Sequence, residues 1–366
     1  MEHWTSYLYW SISVLAILSV LMPAIKNTYW TFRVFDYPRF QKFIILLVLI
    51  LVWFFTFENP TIYDQVLLFS EIILSFYLFN IILPYTKFGK TMIDKIQPHE
   101  SEKPLDILVC NVYQYNNNYQ KLIDLIKENN PSVLFFLETD EEWKNALKSA
   151  TDNYPHKIEV PLPNTYGLLF YSQFPIKNQE INYLIDDDIP SIVADLEYNN
   201  DVVRLYGIHP TPPVPQENTE STERDAEILL VGKNAKNYGK ASIVFGDLND
   251  VAWSRTTKLF LKSSGMLDPR RGRGMYNTFH AKYWFLRWPL DHFFVSPHFR
   301  LVDMKRMKSV DSDHFPIWIS LVVRNEDKED QFNISQEEKE EVVEKIEEGI
   351  EKGDAVGESR IDHRAR

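Results

Sequence analysis

Ala241-Ser242-Ile243-Val244-Phe245-Gly246-Asp247-Leu248-Asn249 is the stretch on which the reading of this chain turns. An apolar run ends in Gly-Asp-Leu-Asn. Further along, Ser312-Asp313-His314 follows Val310 in the same manner. Acids, an amide and an imidazole thus fall at the ends of expected strands, where active sites are usually built. Working outward, Val202 to Ile208 closes on His209-Pro210, and Leu290-Asp291-His292 opens the run Phe293 to Ser296. Upstream, Leu105 to Cys110 leads into Asn111 and Ser132 to Leu137 leads into Glu138. One acid beside a strand is usually a turn residue. Six apolar segments that each deliver polar residues are hard to assign to turns.

Taken in this order, the set resembles the endonuclease/exonuclease/phosphatase superfamily, typified by pancreatic deoxyribonuclease and including abasic-site endonucleases, inositol-polyphosphate phosphatases and neutral sphingomyelinases. The resemblance spans roughly residues 104–324. Its most specific parts are Gly-Asp-Leu-Asn at 246–249, with Trp253-Ser254 after it, and Ser-Asp-His-Phe-Pro at 312–316. Asn111, Glu138, His209 and Asp291 gain weight from their order and spacing. The resemblance implies an α/β fold, a two-sheet β-sandwich flanked by helices in four layers (αββα). It also implies roles: Glu138, helped by Asn111, would hold Mg²⁺, with Mn²⁺ as a substitute. Asp313 would sit by that metal or at a second metal position. Asp247 would act on the attacking water and Asn249 would bond the same phosphate region. His314 would donate to a phosphate oxygen, with Asp291 holding its ring and favouring its charged form, and His209 would contact the phosphoryl group from the other side. The family's phosphate-contacting acid or aromatic between Glu138 and His209 has no distinct counterpart; Tyr171 is the candidate on position.

The residues support that chemistry independently. Phosphodiester hydrolysis needs a metal at a non-bridging oxygen, a base for the water, and donors aimed at the transition state. Hard oxygen ligands suit Mg²⁺, and the lack of a Cys/His cluster argues against structural zinc. Arg270, Arg271 and Arg273, spaced by Gly272 and Gly274, read either as a flexible basic loop for an anionic substrate or as a solvated turn. Tyr283, Trp284, Phe285, Arg287 and Trp288 could stack on bases or meet a bilayer, but inward packing as an edge strand is the expectation. His292, beside Asp291, is expected to be structural.

The remaining sequence frames this domain. Runs such as Val133–Leu137, Tyr166–Tyr171, Ile192–Leu196 and Ile317–Val323 alternate with helical periods at Tyr119–Glu128 and Thr222–Val231, as in an α/β protein. The 366 residues are 45% hydrophobic, and most of the surplus falls in the first hundred. Thr5 to Ile25 carries no charge over about 21 residues, roughly 31 Å of helix, enough to cross a bilayer. Two further spans are expected at about 41–58, where the shorter apolar run must let Lys42 and Glu58 snorkel, and at 65–86, which contains Glu71. Met1-Glu2-His3-Trp4 lacks the basic leader of a signal peptide.

Lys26, Arg33, Arg39 and Lys42 between the first two spans, with Lys87, Lys90 and Lys95 after the third, place the N-terminus outside and the large domain in the cytoplasm. The expected setting is a bacterial-type plasma membrane. Residues 87–103 read as a linker, and 325–366 as a charged tail with a short helix from a Ser335 cap to Gly353, solvated rather than docked. The lone Cys110 permits no internal disulfide. A net charge of -12 disfavours tracking along DNA by bulk electrostatics.

The expected function is therefore a membrane-anchored, Mg²⁺-dependent phosphoesterase acting on nucleic acid or a phospholipid headgroup, with the bilayer as its second partner and no protein partner indicated. The alternatives are a non-catalytic scaffold that keeps the fold, and a transporter, for which the spans offer only Glu71 and Asn80.

Overall fold

The computed structural model describes residues 2–99, 102–324 and 332–364. It begins with helices α1 (Glu2–Leu21), α2 (Trp30–Arg33), α3 (Arg39–Thr56) and α4 (Ile62–Ile82). The domain follows as β1 (Leu105–Asn111), α5 (Tyr119–Asn129), β2 (Val133–Leu137), α6 (Glu141–Thr151), β3 (His156–Val160), β4 (Leu168–Ser172), β5 (Ile176–Asn182), β6 (Ser191–Tyr198) and β7 (Asp201–Ile208). Then come α7 (Thr222–Tyr238), β8 (Ser242–Asp247), α8 (Arg255–Ser264), β9 (Asp291–Val295), β10 (Phe299–Arg306), β11 (Ile317–Val323) and α9 (Gln336–Arg364).

Two sheets carry the domain. One runs β10-β11-β1-β2-β4-β3 and the other β5-β6-β7-β8-β9. β1 and β2 are apolar almost throughout because both their faces are buried. Ile107, Val109, Phe135 and Leu137 face the second sheet, while Leu108, Cys110, Leu134 and Phe136 face α5 and α6. Across the sandwich Phe135 meets Phe245 edge-on, ring centroids 5.1 Å apart. The outer face of the second sheet packs Tyr206, Val244 and Phe294 against α7 and α8. The result is the four-layer αββα sandwich that the resemblance implies. Strands β3, β5 and β10 carried no clear apolar alternation in the sequence. β5, an edge strand, is exposed over Lys177–Glu180, and such polar residues protect an edge from further pairing.

Three helices, Trp4–Ala24, Arg39–Thr56 and Ile62–Tyr85, are long and apolar enough to cross a membrane. The second starts earlier than its apolar run. Lys42 is buried and donates to the carbonyls of Ser19 (2.5 Å) and Phe35 (2.7 Å), so the bundle takes its charge inward instead of letting it snorkel. Glu71 faces a neighbouring helix, where Tyr9 Oη donates to it at 2.7 Å. Thr61 and Asp64 form a reciprocal cap at the start of α4.

Two segments depart from expectation. Residues 87–103 are not a free linker: Met92 and Ile93 enter the sandwich core, and Ile96 N donates to Leu301 O at 2.9 Å while Leu301 N donates to Asp94 O at 2.9 Å. The tail is not a solvated appendage. Residues 325–331 and 365–366 lie outside the described residues, but α9 continues past Gly353 and docks on α7. Val342 and Ile346 are buried there, Lys345 Nζ reaches Asp225 at 2.9 Å, and Arg255 pairs with Glu341 at 2.6 Å. The sequence shows an apolar stripe of Val343, Ile346 and Ile350, but the buried contact is made by Val342 and Ile346, while Val343 and Ile350 are exposed.

Candidate active site

Strand register assembles the site. β8 runs antiparallel to β9, setting Asp247 opposite Asp291. β7 runs parallel to β8 with Ile208 level with Gly246, which brings His209 beside Asp247. In the other sheet β1 pairs with β2 so that Asn111 is level with Leu137, and Glu138 follows. The turn after β8 depends on Gly246, whose φ is 138° and whose added Cβ would lie 1.9 Å from Ile208 O. Asn249 and Glu138 are also left-handed, at φ 50° and 57°. Functional positions commonly hold such strain.

Asp247 is the hub. Its Oδ2 accepts from Asn111 Nδ2 at 3.1 Å and lies 3.5 Å from His314 Nε2 and 3.9 Å from His209 Nε2. Its Oδ1 accepts from Asn249 N at 3.0 Å. His314 Nδ1 bonds Asp291 at 2.8 Å. Burial works against a charge on this ring, but Asp291 and Asp247 outweigh it and raise His314 to about 10. Burial raises Asp291 as well; the pair's shared proton rests on the imidazole, which stands between two carboxylates. His209, by contrast, is pushed down by burial and held neutral, with Asp247 opposing only in part.

Asn111 Nδ2 also donates to Glu138 Oε1 at 2.7 Å, and its Oδ1 accepts from Tyr113 N at 3.0 Å. In this arrangement Asn111 offers the carboxylates a donor and orients them. Burial pushes Glu138 up to about 7, and Asp313 and Asp247 add repulsion that the Asn111 bond only partly offsets. Buried, crowded oxygens of this kind fit a hard divalent cation. Asp247, Asp291 and His314 also present ligand atoms within 4.8 Å of one another. In that group the His314 ring is already bonded to Asp291 at 2.8 Å, and Glu138 and Asp313 line the same cleft beside it.

These residues line a cleft of about 470 Å³, with Glu138, His209, Asp247, Asn249, Asp313 and His314 on its surface. Asn111 and Asp291 stand behind them. Tyr171 is not brought to the cleft. The alternation of β4 turns it to the helix side, where its hydroxyl donates to Glu159 at 3.1 Å. The arginine loop is also elsewhere engaged. Arg270 is fully buried, bonded to Asp268 (2.8 Å) and to His292 Nδ1 (2.7 Å). Arg271 lies over the Tyr85 ring, and Arg273 donates to Ile93 O at 2.6 Å. The loop joins the domain to the chain that follows α4, so these arginines are spent on folding. His292, its other nitrogen on Asp250 O at 2.8 Å, is part of that joint.

The structure adds residues that carried no signal in the sequence. Arg224 on α7, buried against Asp225, donates to Asn249 O at 2.7 Å, and Tyr37 Oη donates to the same carbonyl at 2.9 Å. Thr278 Oγ1 accepts from Asp291 N at 3.2 Å, and Ser312 Oγ donates to Asn111 O at 2.8 Å. Only the Ser312 motif was visible beforehand; a lone Arg on a helix or a Tyr between two spans reads as surface.

Residues 108–314 match the model of the endonuclease/exonuclease/phosphatase family. Among solved structures, Danio rerio TDP2 complexed with a single-strand DNA product is similar at TM-score 0.52 and 17% identity, covering 61% of this chain and 100% of that one. The endonuclease/exonuclease/phosphatase from Bacteroides vulgatus has TM-score 0.49 and 16% identity, covering 61% and 100%. No curated protein matches the chain in sequence. With the family's motifs at its strand ends and more than half its length matched, the chain belongs to the endonuclease/exonuclease/phosphatase family.

Proposed function

We propose that this protein is a membrane-anchored, Mg²⁺-dependent phosphoesterase that hydrolyses a phosphodiester by in-line attack of water. The observation that carries the reading is the meeting of Asp247 with the His314–Asp291 pair, His209 and Asn249 in one cleft, with Glu138 and Asp313 beside them. Glu138 and Asp313 would hold the metal, which supplies Lewis-acid stabilisation of charge at phosphorus. Asp247 Oδ2 takes a proton from the attacking water, and Asn111 and Asn249 N fix the orientation of its carboxylate. His314, kept charged by Asp291, donates from Nε2 to a non-bridging oxygen. Neutral His209 offers Nε2 to the same group. The water oxygen bonds to phosphorus as the ester P–O bond breaks; the departing oxygen takes a proton from solvent water and becomes the alcohol, and Asp247 returns the proton it took to solvent. Asn111, Glu138, Asp247, Asn249, Asp313 and His314 are all present, which disfavours the scaffold alternative even though Tyr171 does not reach the cleft.

The three long apolar helices support anchoring, and the lysines and arginines on the domain's side of them support a cytoplasmic domain. The test uses the full chain in detergent, on DNA, RNA and phosphoinositide, with Mg²⁺, Mn²⁺ or chelator. Hydrolysis that needs both the metal and Asp247 is expected. Equal activity from Asp247→Ala, or activity in chelator, overturns the reading.

A further inference from the structure

We infer that the cleft is built jointly by the catalytic domain and the membrane-spanning part, and that its substrate is a phosphate ester of a membrane lipid drawn from the leaflet beneath the domain. The inference rests on the hydrolase reading above and names its substrate class.

Three crossings put the segment between the first two spans on the same side as the domain that follows the third. That segment forms part of the cleft wall through Trp30, Val34 and Tyr37. It is fixed there by hydrogen bonds along its length: Ser221 N to Thr28 O (2.9 Å), Trp30 N to Thr219 O (2.8 Å), Trp253 Nε1 to Asp36 O (2.8 Å), and Tyr37 Oη to Asn249 O (2.9 Å). The apolar lining continues through Val214, Phe279, Trp288 and Leu290. One cleft therefore joins a phosphoryl site to an apolar wall that begins at the membrane.

A second observation places the leaflet. Tyr283, Trp284, Phe285 and Leu286 are large, consecutive and exposed, Trp284 at 78%. They do not pack inward as an edge strand, as the sequence suggested. Gln41, in the first turn of the second span, donates to the carbonyls of Phe285 (3.0 Å) and Arg287 (3.3 Å), which ties this tip to the level where that span begins. Tyr29 and Phe88, also exposed, flank spans on the same side. Aromatics in this position belong to the interfacial belt of a bilayer.

The charges of the lining decide between lipid and nucleic acid. Among the described residues the cleft is lined by Glu138, Glu217, Asp247 and Asp313 but by no lysine or arginine. A polyanion held along its backbone needs such cations. A single phosphate group bonded to the site residues, with an acyl or prenyl chain along the wall, does not.

The test uses full-length protein with Mg²⁺ and three substrates: phosphatidylcholine vesicles carrying phosphatidylglycerol, phosphatidic acid and phosphatidylinositol phosphate; freely soluble short-chain forms of the same lipids; and a single-stranded oligonucleotide. Val34, 47% exposed, can be changed without opening the core. Vesicle lipid is expected to be cleaved with the highest kcat/KM, and Val34→Glu should lower the ratio of vesicle to oligonucleotide rates by about tenfold or more, the discrimination that loss of one apolar contact in a hydrophobic pocket already gives. Preference for the oligonucleotide or the soluble forms, or a ratio unmoved by both Val34→Glu and Trp284→Ala, overturns the lipid inference and leaves the hydrolase standing. Silence on all three removes the hydrolase reading and this inference with it.

Discussion

Asp247 holds four neighbours through two oxygens: the side chains of Asn111, His314 and His209 and the backbone N–H of Asn249. Asp247→Asn keeps the shape but removes the base, so kcat should fall by about 10²–10⁴-fold with little change in KM. An unaltered kcat would remove Asp247 from the chemistry. His314 is charged until pH approaches about 10, because Asp291 and Asp247 face its ring. The alkaline limb of the kcat–pH profile should therefore lie near that value. Asp291→Asn removes one of the carboxylates holding the proton, so the limb should move to lower pH; a limb that stays in place contradicts the pairing. A stability effect arises at Glu227, which burial and then Asp186 push up to about 8. Between its ordinary 4.5 and about 8 the unfolded chain has lost this proton and the folded chain keeps it, so stability falls as pH rises through that window. Glu227→Gln should flatten the decline in Tm between pH 5 and 8, and identical slopes in parent and variant would refute it.

At the scale of elements, α9 owes its seat to a close approach. A Cβ on Gly349 would stand 2.1 Å from Ala226 Cβ, so Gly349→Ala must push α9 off α7. Alanine gains up to about 1 kcal/mol of helix propensity over glycine, whereas overpacking costs about 1–3 kcal/mol. The clash wins, and Tm should drop; a rise would mean that α9 is not seated in this way. Lys345 on α9 reaches Asp225, which neighbours Arg224, and Arg224 holds Asn249 O. The same element thus supports the catalytic turn from behind. The sequence showed a capped helix after Ser335 but not its partner, since docking depends on Ala226 lying bare on the facing helix.

For the whole molecule, the proposed orientation rests on the distribution of basic residues and is open to direct test. Cys110 is buried, which gives a low background for thiol labelling. With an impermeant maleimide on intact cells, Glu58→Cys should label, and Lys90→Cys should label only after lysis. The reverse pattern would place the domain outside. The wall formed by Trp30, Val34 and Tyr37 also means that a fragment beginning at the domain would lack part of its own cleft.

The sequence alone indicated an α/β chain, and the family resemblance carried by its strand-end motifs implied the sandwich and named the residues that the structure brings together, because such motifs show both the apolar run and the polar residue that it delivers. Asn111, Glu138, His209, Asp247, Asn249, Asp291, Asp313 and His314 were all legible in that way. Apolar length alone likewise identified the three long helices. Only the tertiary structure decided which side chains were already engaged. Arg270 looked free until Asp268 and His292 surrounded it, Tyr171 looked available until its strand turned it toward α5 and α6, and the bond from Tyr37 to Asn249, 212 residues away, carried no signal in the sequence. Periodicity reports which face of an element is buried. It carries no information about which distant element lies against that face, and here that pairing joins the segment between the first two long apolar helices to the cleft.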